Sequence, residues 1–304
     1  MRITLTAPHL LALRLLVWLG GRVPARTLDA AAGLLGTLAW YASPDVRAVT
    51  RDHMRHVLGH DAPPARIDAA ARGCVRTTAR YYADFAAGPH RRAARPFERA
   101  EGLHHITDAA ARGRGLILLS AHLGSPESIG WTLVDLGLDL VVLAEPLQPR
   151  SVHDFVQRVR EATTPGARFV TADLAGLRLA IEHLRRGGAV AALGDRDVLG
   201  TGVPQLFFGE RARMPVGIAD LALRTGAEVV PGFALRTPAG GVRAVVEPPL
   251  DLPRTGDEPA DRVEARRRVV AALERGIRLA PEQWFPLQPV WTGLSGAGEG
   301  PHRS

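Results

Sequence analysis

Residues 115–136 of the sequence read GLILLSAHLGSPESIGWTLVDL and carry the strongest signal of the fold class. Its first six residues form a short apolar run, which predicts a buried β-strand. Ser125 is a typical N-cap and Pro126 a typical first helical residue, so we expect a helix over residues 126–136. The loop between the two elements carries His122. This histidine would lie at the carboxyl end of the strand, where the active sites of α/β proteins usually form.

The rest of the chain repeats this alternation of strand and helix signals. Apolar runs of strand length lie at 139–143, 189–193, 228–233 and 242–247. Segments of helix length accompany them at 151–163, 174–186, 216–224 and 262–280. Two more helices are predicted nearer the N-terminus, at 46–58 and 65–85, where apolar residues recur at helical spacing. We therefore predict an α/β fold in which helices flank a mixed sheet.

The composition excludes several classes of enzyme. All 38 basic residues are arginine and the chain has no lysine. The P-loop of nucleotide-binding proteins and the active site of protein kinases both need a lysine. Pyridoxal enzymes and Schiff-base aldolases need a lysine amine as well. Cys74 is the single cysteine, which excludes a disulfide within the chain and a CxxC metal or redox motif.

The positive charge is concentrated in the first third of the chain. Residues 1–100 hold 15 arginines and 7 acidic residues, whereas residues 101–304 hold 23 and 24. This basic part contains two apolar segments, at 10–20 and 28–42. Both are shorter than the roughly 20 apolar residues that cross a bilayer, and Arg14 and Asp29 interrupt them. We predict membrane-docking helices within residues 1–45 that face an anionic lipid surface; the alternative is two core helices with a solvated basic face.

Two other interpretations of the basic segment are weaker. A signal peptide with a cleavage site at VPA, residues 23–25, is conceivable, but Arg14 lies inside its apolar stretch. Nucleic-acid binding lacks support because the aromatic content is only 5% and no nucleic-acid-binding motif occurs. Arg91, Arg92 and Arg95 form a short cluster and nothing more. We expect no nucleic-acid partner.

His122 and Glu127 are candidates for general-base chemistry. Five residues advance a helix by about 500°, which would leave two side chains roughly 140° apart. A loop position for His122 and a first-turn position for Glu127 avoid that separation. A neutral imidazole could then take a proton from a hydroxyl, while a carboxylate on its other nitrogen fixes the tautomer. On spacing alone, a surface histidine and a helix-terminal glutamate remain the alternative.

The residues from His122 to Glu127 resemble the H-x4-D/E motif of membrane glycerolipid acyltransferases. The resemblance is greatest to the branch that contains bacterial lipid A late acyltransferases and phosphatidylinositol mannoside acyltransferases. Further segments that agree are RDHMRHVLG at 51–59, ARYYADF at 79–85, GDRD at 194–197, FFGERARMP at 207–215 and PEQWFPLQPVW at 281–291. The resemblance implies a single acyltransferase domain over residues 1–292, followed by a flexible tail at 293–304.

Site residues follow from the resemblance one by one. His122 matches the base of the family, and Asp195 and Glu127 compete to orient it. Asp195 is favoured because it follows a strand and could reach His122 from the adjacent strand end. The resemblance and their positions also imply a set of substrate-binding residues: Arg160, Arg196, Arg211, Arg213 and Ser125. Two departures, Phe285 at a position where relatives often have histidine and the pair Ser125-Pro126, leave the identity of the substrate open.

The resemblance implies acyl transfer from acyl-CoA, which would be a co-substrate, with no cofactor and no metal. The expected acceptor is a glycolipid hydroxyl, on a mannose of phosphatidylinositol mannoside, and the expected location is peripheral, on the cytoplasmic face of the cell membrane. Backbone N–H groups near the start of the helix at Pro126 are expected to stabilise the oxyanion. The alternatives are another acceptor, such as a lysophospholipid or a lipid A-like glycolipid, and an inactive lipid-binding homologue. A serine hydrolase is weaker because no GxSxG motif occurs.

Overall fold

The structure is a computed structural model that describes residues 7–90, 97–197 and 199–291. It begins with four helices, at Ala7–Gly20 (α1), Ala25–Ala42 (α2), Pro44–Leu58 (α3) and Pro64–Ala87 (α4). Prolines open α3 and α4, because a first helical residue needs no N–H donor. The side chain of Ser43 caps α3 by accepting a hydrogen bond from the backbone of Val46. The predicted helices of this part of the chain are confirmed to within a few residues.

Strands and helices then alternate along the chain. The strands are Phe97–Glu101 (β1), Leu116–Ser120 (β2), Leu140–Ala144 (β3), Ala167–Thr171 (β4), Ala189–Leu193 (β5), Val203–Phe207 (β6), Glu210–Met214 (β7), Glu228–Arg236 (β8) and Val242–Val246 (β9). The helices are His104–Ala111 (α5), Pro126–Asp135 (α6), Arg150–Thr163 (α7), Leu174–Arg185 (α8), Gly217–Thr225 (α9) and Glu258–Leu279 (α10). All the strands and helices predicted for this region are present.

Seven strands form one sheet in the order β1-β9-β8-β2-β5-β3-β4. Neighbouring strands run parallel except β8 and β9, which are antiparallel. The sheet is therefore mixed, as predicted. Strand β2 lies at its centre, and β5 follows directly beside it. Because these two strands are parallel, the loops after them leave the sheet at the same edge, which brings residues 121–125 close to residues 194–197.

The core lies on both faces of the central strand. All five side chains of β2 are buried. Ile117 and Leu119 belong to one apolar cluster with α9 and α10, whereas Leu116 and Leu118 belong to a second cluster with α5 and α6. Alternation along a strand sends neighbouring side chains to opposite faces, so a continuous apolar run requires helices on both sides. Burial of each such side chain contributes about 1.5–3 kcal/mol.

Strands β1 and β4 and the hairpin of β6 and β7 were not predicted from the sequence. Strands β1 and β4 are the two edges of the large sheet, and β6 and β7 form a separate two-stranded sheet. These four strands carry charged or polar residues, as in FERAE and ERARM. An edge strand needs no continuous apolar run because one side of it faces solvent, so it lacks the signal that revealed the central strands.

The N-terminal helices are present, and several of their large apolar side chains are exposed. On α2 only Ala32, Gly33, Gly36 and Trp40 are buried. The exposed apolar side chains of the two helices are Leu11, Leu15, Trp18, Leu34, Leu35, Leu38 and Tyr41. Among the described residues, no helix is both long enough and apolar enough to span a bilayer. The predicted tail at 293–304 and the arginine cluster at 91–95 lie outside the described residues.

Candidate active site

The loop after β2 is held by backbone hydrogen bonds to two other segments. The N–H of Gly124 donates to Gln283, that of Ser125 to Ala234, and that of Phe285 to the carbonyl of His122, over N···O distances of 2.8–3.0 Å. Gly124 has a φ of +65°, and a Cβ atom there would lie 2.1 Å from the carbonyl oxygen of Ala234. Only glycine fits this position, so the sequence and the neighbouring backbone together fix where His122 lies.

His122 and Asp195 form a direct pair. The Nδ1 atom of His122 lies 2.8 Å from Oδ1 of Asp195, and the backbone N–H of His122 donates to the same oxygen over 3.1 Å. Asp195 comes two residues after β5, the strand next to β2, and the N–H of Gly194 donates to the carbonyl of Ser120. Asp195 therefore reaches the histidine from the adjacent strand end, the route that the sequence favoured.

The Asp195 carboxylate is fully buried. Its second oxygen, Oδ2, accepts a hydrogen bond of 2.8 Å from Nε1 of Trp284. Burial alone would raise the pKa of this carboxyl, but the charge and hydrogen bond of His122, the Trp284 hydrogen bond and Arg196 together bring the pKa below its usual value. The ionised carboxylate can accept a hydrogen bond from a protonated Nδ1 of His122. In the neutral imidazole, the lone pair is then on Nε2.

Glu127 lies in the first turn of α6, as predicted, but it contacts a different partner. Its Oε1 accepts a hydrogen bond of 2.7 Å from the hydroxyl of Tyr81 on α4. Burial raises the pKa of Glu127, although Tyr81 and the charge of Arg160 partly offset the effect. Burial, together with the Glu127 carboxylate, also raises the pKa of Tyr81 well above its ordinary value. Of the two competing carboxylates, Asp195 is thus the one that touches the histidine.

A cavity of about 490 Å³ opens beside this pair. That volume lies within the range of small-molecule binding sites. Its lining is mainly apolar and comes from β2, β3, β5 and the helices that cover them; examples are Leu118, Ile129, Val142, Leu143, Phe169, Ile218 and Leu221. Its polar lining includes His122, Glu127, Tyr81, Arg160 and Arg196. The cavity therefore combines a largely apolar wall with a histidine–carboxylate pair and two guanidinium groups.

The predicted substrate-binding residues divide into two groups. Arg160 and Arg196 line the cavity, and Arg196 also donates to the side chain of Gln288. Arg213 lines a smaller adjoining depression together with Arg196, and its Nε lies 3.7 Å from Oδ2 of Asp197. Arg211, on the exposed side of β7, and Ser125, which is buried, are not among the described residues that line the cavity.

The role predicted for Ser125 as a helix cap is wrong. The helix begins at Pro126 as expected, but no side chain caps it. The hydroxyl of Ser125 lies 3.0 Å from that of Ser128 and forms a hydrogen bond with it. It accepts no hydrogen bond from the backbone N–H groups of the first turn, which have no partners within the helix. Its own backbone N–H binds Ala234, and this bond to β8 fixes the start of α6 from outside the helix.

At the predicted oxyanion site near the start of α6, some of the backbone N–H groups already have partners within the protein. The backbone N–H groups of Leu123, Gly124, Ser125 and Ser128 already donate to carbonyl groups of the protein. A donor that is already bonded is not available to a developing negative charge. Another helix start, that of α9, faces the cavity through Val216, Gly217 and Ile218, and no side chain caps it. It is a second candidate for holding an anionic group.

Two residues at the site were not identified from the sequence as functional. Trp284 holds the carboxylate of Asp195, and Tyr81 holds that of Glu127. Both lie inside segments that carry the family resemblance, ARYYADF and PEQWFPLQPVW, but composition and spacing assigned neither of them a contact. The ring of Phe285, at the position where relatives often have histidine, packs edge-on against His122 with centroids 5.9 Å apart.

The sequence predicts no metal at this site. Among the described residues, one group of side chains has ligand atoms close enough together for a metal ion, and it consists of His56, His60 and Glu210. None of these three lines the cavity. The acyltransferase chemistry expected at His122 would use the histidine–carboxylate pair directly.

Comparison with known proteins supports the resemblance drawn from the motifs. The sequence model of the family described as "Bacterial lipid A biosynthesis acyltransferase" matches residues 5–292. A phosphatidylinositol mannoside acyltransferase of Mycobacterium tuberculosis is 32% identical over 252 residues, which cover 79% of this chain and 76% of the relative. A protein of the same name from Mycolicibacterium smegmatis is 30% identical over 271 residues, which cover 86% of this chain and 85% of the relative. The chain therefore belongs to the bacterial lipid A biosynthesis acyltransferase family.

Proposed function

We propose that this protein transfers a fatty acyl chain from acyl-CoA to a hydroxyl group of a glycolipid, on a mannose of phosphatidylinositol mannoside. The observation that carries the proposal is the bond between His122 and the buried Asp195 beside a cavity with a largely apolar wall. The family supports acyl transfer as the reaction class, and the names of the relatives support the acceptor.

His122 is the general base of the proposed reaction. Its Nε2 takes the proton of the acceptor hydroxyl as the oxygen attacks the thioester carbonyl of acyl-CoA. The C–S bond then breaks, and the imidazolium returns the proton to the departing CoA thiolate. Asp195 stabilises the imidazolium, because the carboxylate at Oδ1 faces the protonated Nδ1 over 2.8 Å. No covalent enzyme intermediate is required.

Binding of the donor uses the two halves of the cavity. The apolar side chains of β2, β3 and β5 would take the acyl chain. The anionic groups of CoA or of the lipid head group would meet guanidinium groups, since the chain has no lysine. Arg160, Arg196 and the start of α9 line the cavity, and Arg213 lies next to it. Arg211 and Ser125 have no support from their positions.

Membrane docking through α1 and α2 would bring the acceptor to this site. Both helices expose apolar side chains, among them Leu34, Leu35 and Leu38, which suit the interface between head groups and acyl chains. The guanidinium of Arg22 lies 4.1 Å from the centre of the Trp18 ring, so a cation accompanies an aromatic of the kind found at interfaces. We place the protein on the cytoplasmic face of the membrane, where acyl-CoA is available, as a peripheral protein.

The experiment that tests the base is His122→Ala. In the purified variant, transfer of a radiolabelled palmitoyl group from palmitoyl-CoA to phosphatidylinositol mannoside should fall by roughly a hundredfold or more, because the proton acceptor is gone. The matched control is His104→Ala, which removes an exposed histidine at the start of α5 and should leave transfer unchanged. Transfer at the wild-type rate by His122→Ala would overturn the mechanism.

The acceptor is tested with a panel of lipids assayed side by side. Phosphatidylinositol mannoside, a lysophospholipid and a lipid A precursor are offered with the same donor. We expect acylation of the mannoside alone. Acylation of another lipid by the wild type, lost in His122→Ala, would keep the mechanism and change the acceptor. Acylation of no lipid, with intact membrane binding, would identify an inactive homologue.

Membrane docking is tested separately with vesicles that contain anionic lipid. Replacing Leu34, Leu35 and Leu38 with serine should weaken association by tenfold or more, since burying a leucine side chain contributes about 1.5–3 kcal/mol. The control replaces exposed leucines of the α/β part, Leu174 and Leu279, with serine. Equal binding by both variants would show that these leucines of α2 do not form the docking surface.

A further inference from the structure

A group of three potential metal ligands lies away from the cavity. His56 is in the last turn of α3, His60 follows the helix, and Glu210 is the first residue of β7. Their ligand atoms all lie within 4.8 Å of one another. Although Glu210 is 150 residues from His60 in the sequence, the hairpin turn brings its carboxylate between the two imidazoles.

The hydrogen bonds of His56 determine which of its ring nitrogens faces Glu210. Its Nδ1 lies 2.8 Å from the backbone carbonyl oxygen of Asp52. A carbonyl can only accept, so Nδ1 carries the hydrogen, and a neutral ring has its lone pair on Nε2. This Nε2 lies 3.1 Å from Oε2 of Glu210. Two acceptors at that separation repel each other unless a proton or another cation lies between them.

His60 completes the arrangement from the other side. Its Nε2 lies 2.9 Å from Oε1 of Glu210, so each carboxylate oxygen faces one imidazole nitrogen. In a tetrahedral zinc site, metal–ligand bonds of about 2.0–2.2 Å separate neighbouring ligand atoms by about 3.3 Å. The two observed separations are close to that value. His60 is 62% exposed, so its ring has room to adjust.

The surroundings of His56 are those of a metal ligand. A ligating histidine usually donates its second ring N–H to a carbonyl or a carboxylate, which fixes the ring. Here the carbonyl of Asp52 takes that N–H. The ring also stacks on Trp291, with centroids 3.9 Å apart and an angle of 7° between the planes. His56 is only 6% exposed, so its Nε2 is already held in the direction of Glu210.

We propose that His56, His60 and Glu210 form a binding site for a divalent transition-metal ion, with zinc as the best match. The ligands would be both Nε2 atoms and the Glu210 carboxylate, with water in the remaining position. Imidazole and carboxylate suit Zn²⁺, whereas Mg²⁺ prefers oxygen ligands alone. Such an ion would link α3 to the β6–β7 hairpin next to Trp291, whose indole N–H donates to Phe207 of β6.

The test uses the full chain purified without a histidine tag and treated with a chelator. Zinc binding is measured by calorimetry, and Co²⁺ is added separately because its visible absorption reports the coordination geometry. We expect one zinc per chain, a higher Tm with zinc than with magnesium, and a Co²⁺ spectrum typical of four-coordinate nitrogen and oxygen ligands. The absence of one-to-one zinc binding would overturn the proposal, and the cluster would then be an ion pair held by protons.

Two variants locate the binding. His60→Ala and Glu210→Gln change exposed side chains, so both variants should fold. Each should weaken zinc binding by roughly tenfold or more. Losing a group that only supports a metal ligand already costs about that much, and losing the ligand itself should cost at least as much. His104→Ala, which removes an exposed histidine elsewhere, should bind zinc like the wild type. Unchanged affinity in both ligand variants would place the metal at another site and overturn the assignment.

Discussion

Two histidine–carboxylate clusters in this protein use the same chemical groups in opposite surroundings. At the cavity, His122 is 19% exposed and its partner Asp195 is fully buried. At the hairpin, Glu210 is 51% exposed and lies between His56 and His60. In the first cluster one carboxylate serves one imidazole and leaves the other nitrogen of that imidazole facing the cavity. In the second, two imidazoles point their Nε2 atoms at one carboxylate.

Burial of the carboxylate and convergence of several ligand atoms suit two different kinds of chemistry. A buried carboxylate with a second donor, here Trp284, stays ionised and in place, which suits the transfer of a proton by its histidine. An exposed carboxylate between two imidazole nitrogens places three potential ligand atoms close together, which suits a cation. The spacing of histidines and acids in the sequence does not separate these two outcomes, because both clusters are assembled from distant segments.

The largest expected effect comes from replacing the carboxylate of the cavity cluster with an amide, and the same replacement in the hairpin cluster is its control. Asp195→Asn should reduce acyl transfer by about 10²–10⁴-fold, because an amide can donate to Nδ1 and so favour the tautomer that places the proton on Nε2. Glu210→Gln makes the same exchange at the hairpin and should leave transfer unchanged in metal-free buffer. Initial rates of radiolabelled acyl transfer measure both. Equal loss in the two variants would contradict the distinction between the clusters.

A smaller effect is expected when Trp284 loses its indole N–H. Trp284→Phe leaves one oxygen of the buried carboxylate without its donor, which costs about 1–3 kcal/mol and should slow transfer by about tenfold or more. Because this hydrogen bond lowers the pKa of Asp195, its loss should raise that pKa, and the part of the acid limb of the pH–rate profile that reports protonation of this carboxylate should move to higher pH.

The matched control for this positioning role is Trp291→Phe. Trp291 also donates a buried indole N–H, but to the carbonyl of Phe207 over 3.1 Å. It should lower Tm by a similar amount and leave the acid limb in place. If both variants shift the pH profile, or neither does, Trp284 is a packing residue and does not tune Asp195.

The smallest effect concerns His53, a fourth histidine whose ring lies between the two clusters and packs on Trp284 and Trp291. Burial lowers its pKa to about 3 from the ordinary 6.5. Between these values the unfolded chain binds the extra proton, so stability should fall as the pH falls from 6.5 towards 3, by about 1.4 kcal/mol per pH unit.

Denaturant unfolding at pH 7 and pH 5, in buffer with a chelator, measures how much His53 contributes to the change in stability with pH. The wild type should lose about 2 kcal/mol more over that interval than His53→Asn, whose side chain does not titrate. His104→Ala serves as the control, because an exposed histidine should contribute little to the slope. A variant with the same pH dependence as the wild type would show that His53 is protonated in the folded state.

The extent to which the sequence predicted the fold follows from where each element lies. Strand β2 was identified because both of its faces are buried, so its side chains are apolar without interruption. The edge strands β1 and β4 were missed because their polar residues give no such run. The helix at Pro126 was placed correctly, but its start is fixed by the bond from the Ser125 N–H to Ala234, and not by a Ser125 side-chain cap. Local signals identified where elements begin, and distant contacts supplied the bonds that hold them.

The same division applies to the candidate site. His122, Glu127 and Asp195 were all identified in the sequence, and so were Arg160 and Arg196, which line the cavity. The choice of Asp195 as the contact of His122 needed the order of the strands, since β2 and β5 are neighbours in the sheet but far apart in the chain. Trp284 was not assigned a role because an indole in a loop carries no periodic or spacing signal.

The residues and short motifs of the sequence were enough to indicate an acyltransferase family, to propose His122 as the base and to exclude chemistry that needs a lysine. Only the tertiary structure decided which carboxylate touches His122, that Tyr81 takes Glu127 instead, and that His56 and His60 meet Glu210. The physical reason is that hydrogen bonds and ligand sets act over about 3 Å in space. The residues that make them here are 73 positions apart in one case and 150 in the other, and only the packed sheet and hairpin bring them together.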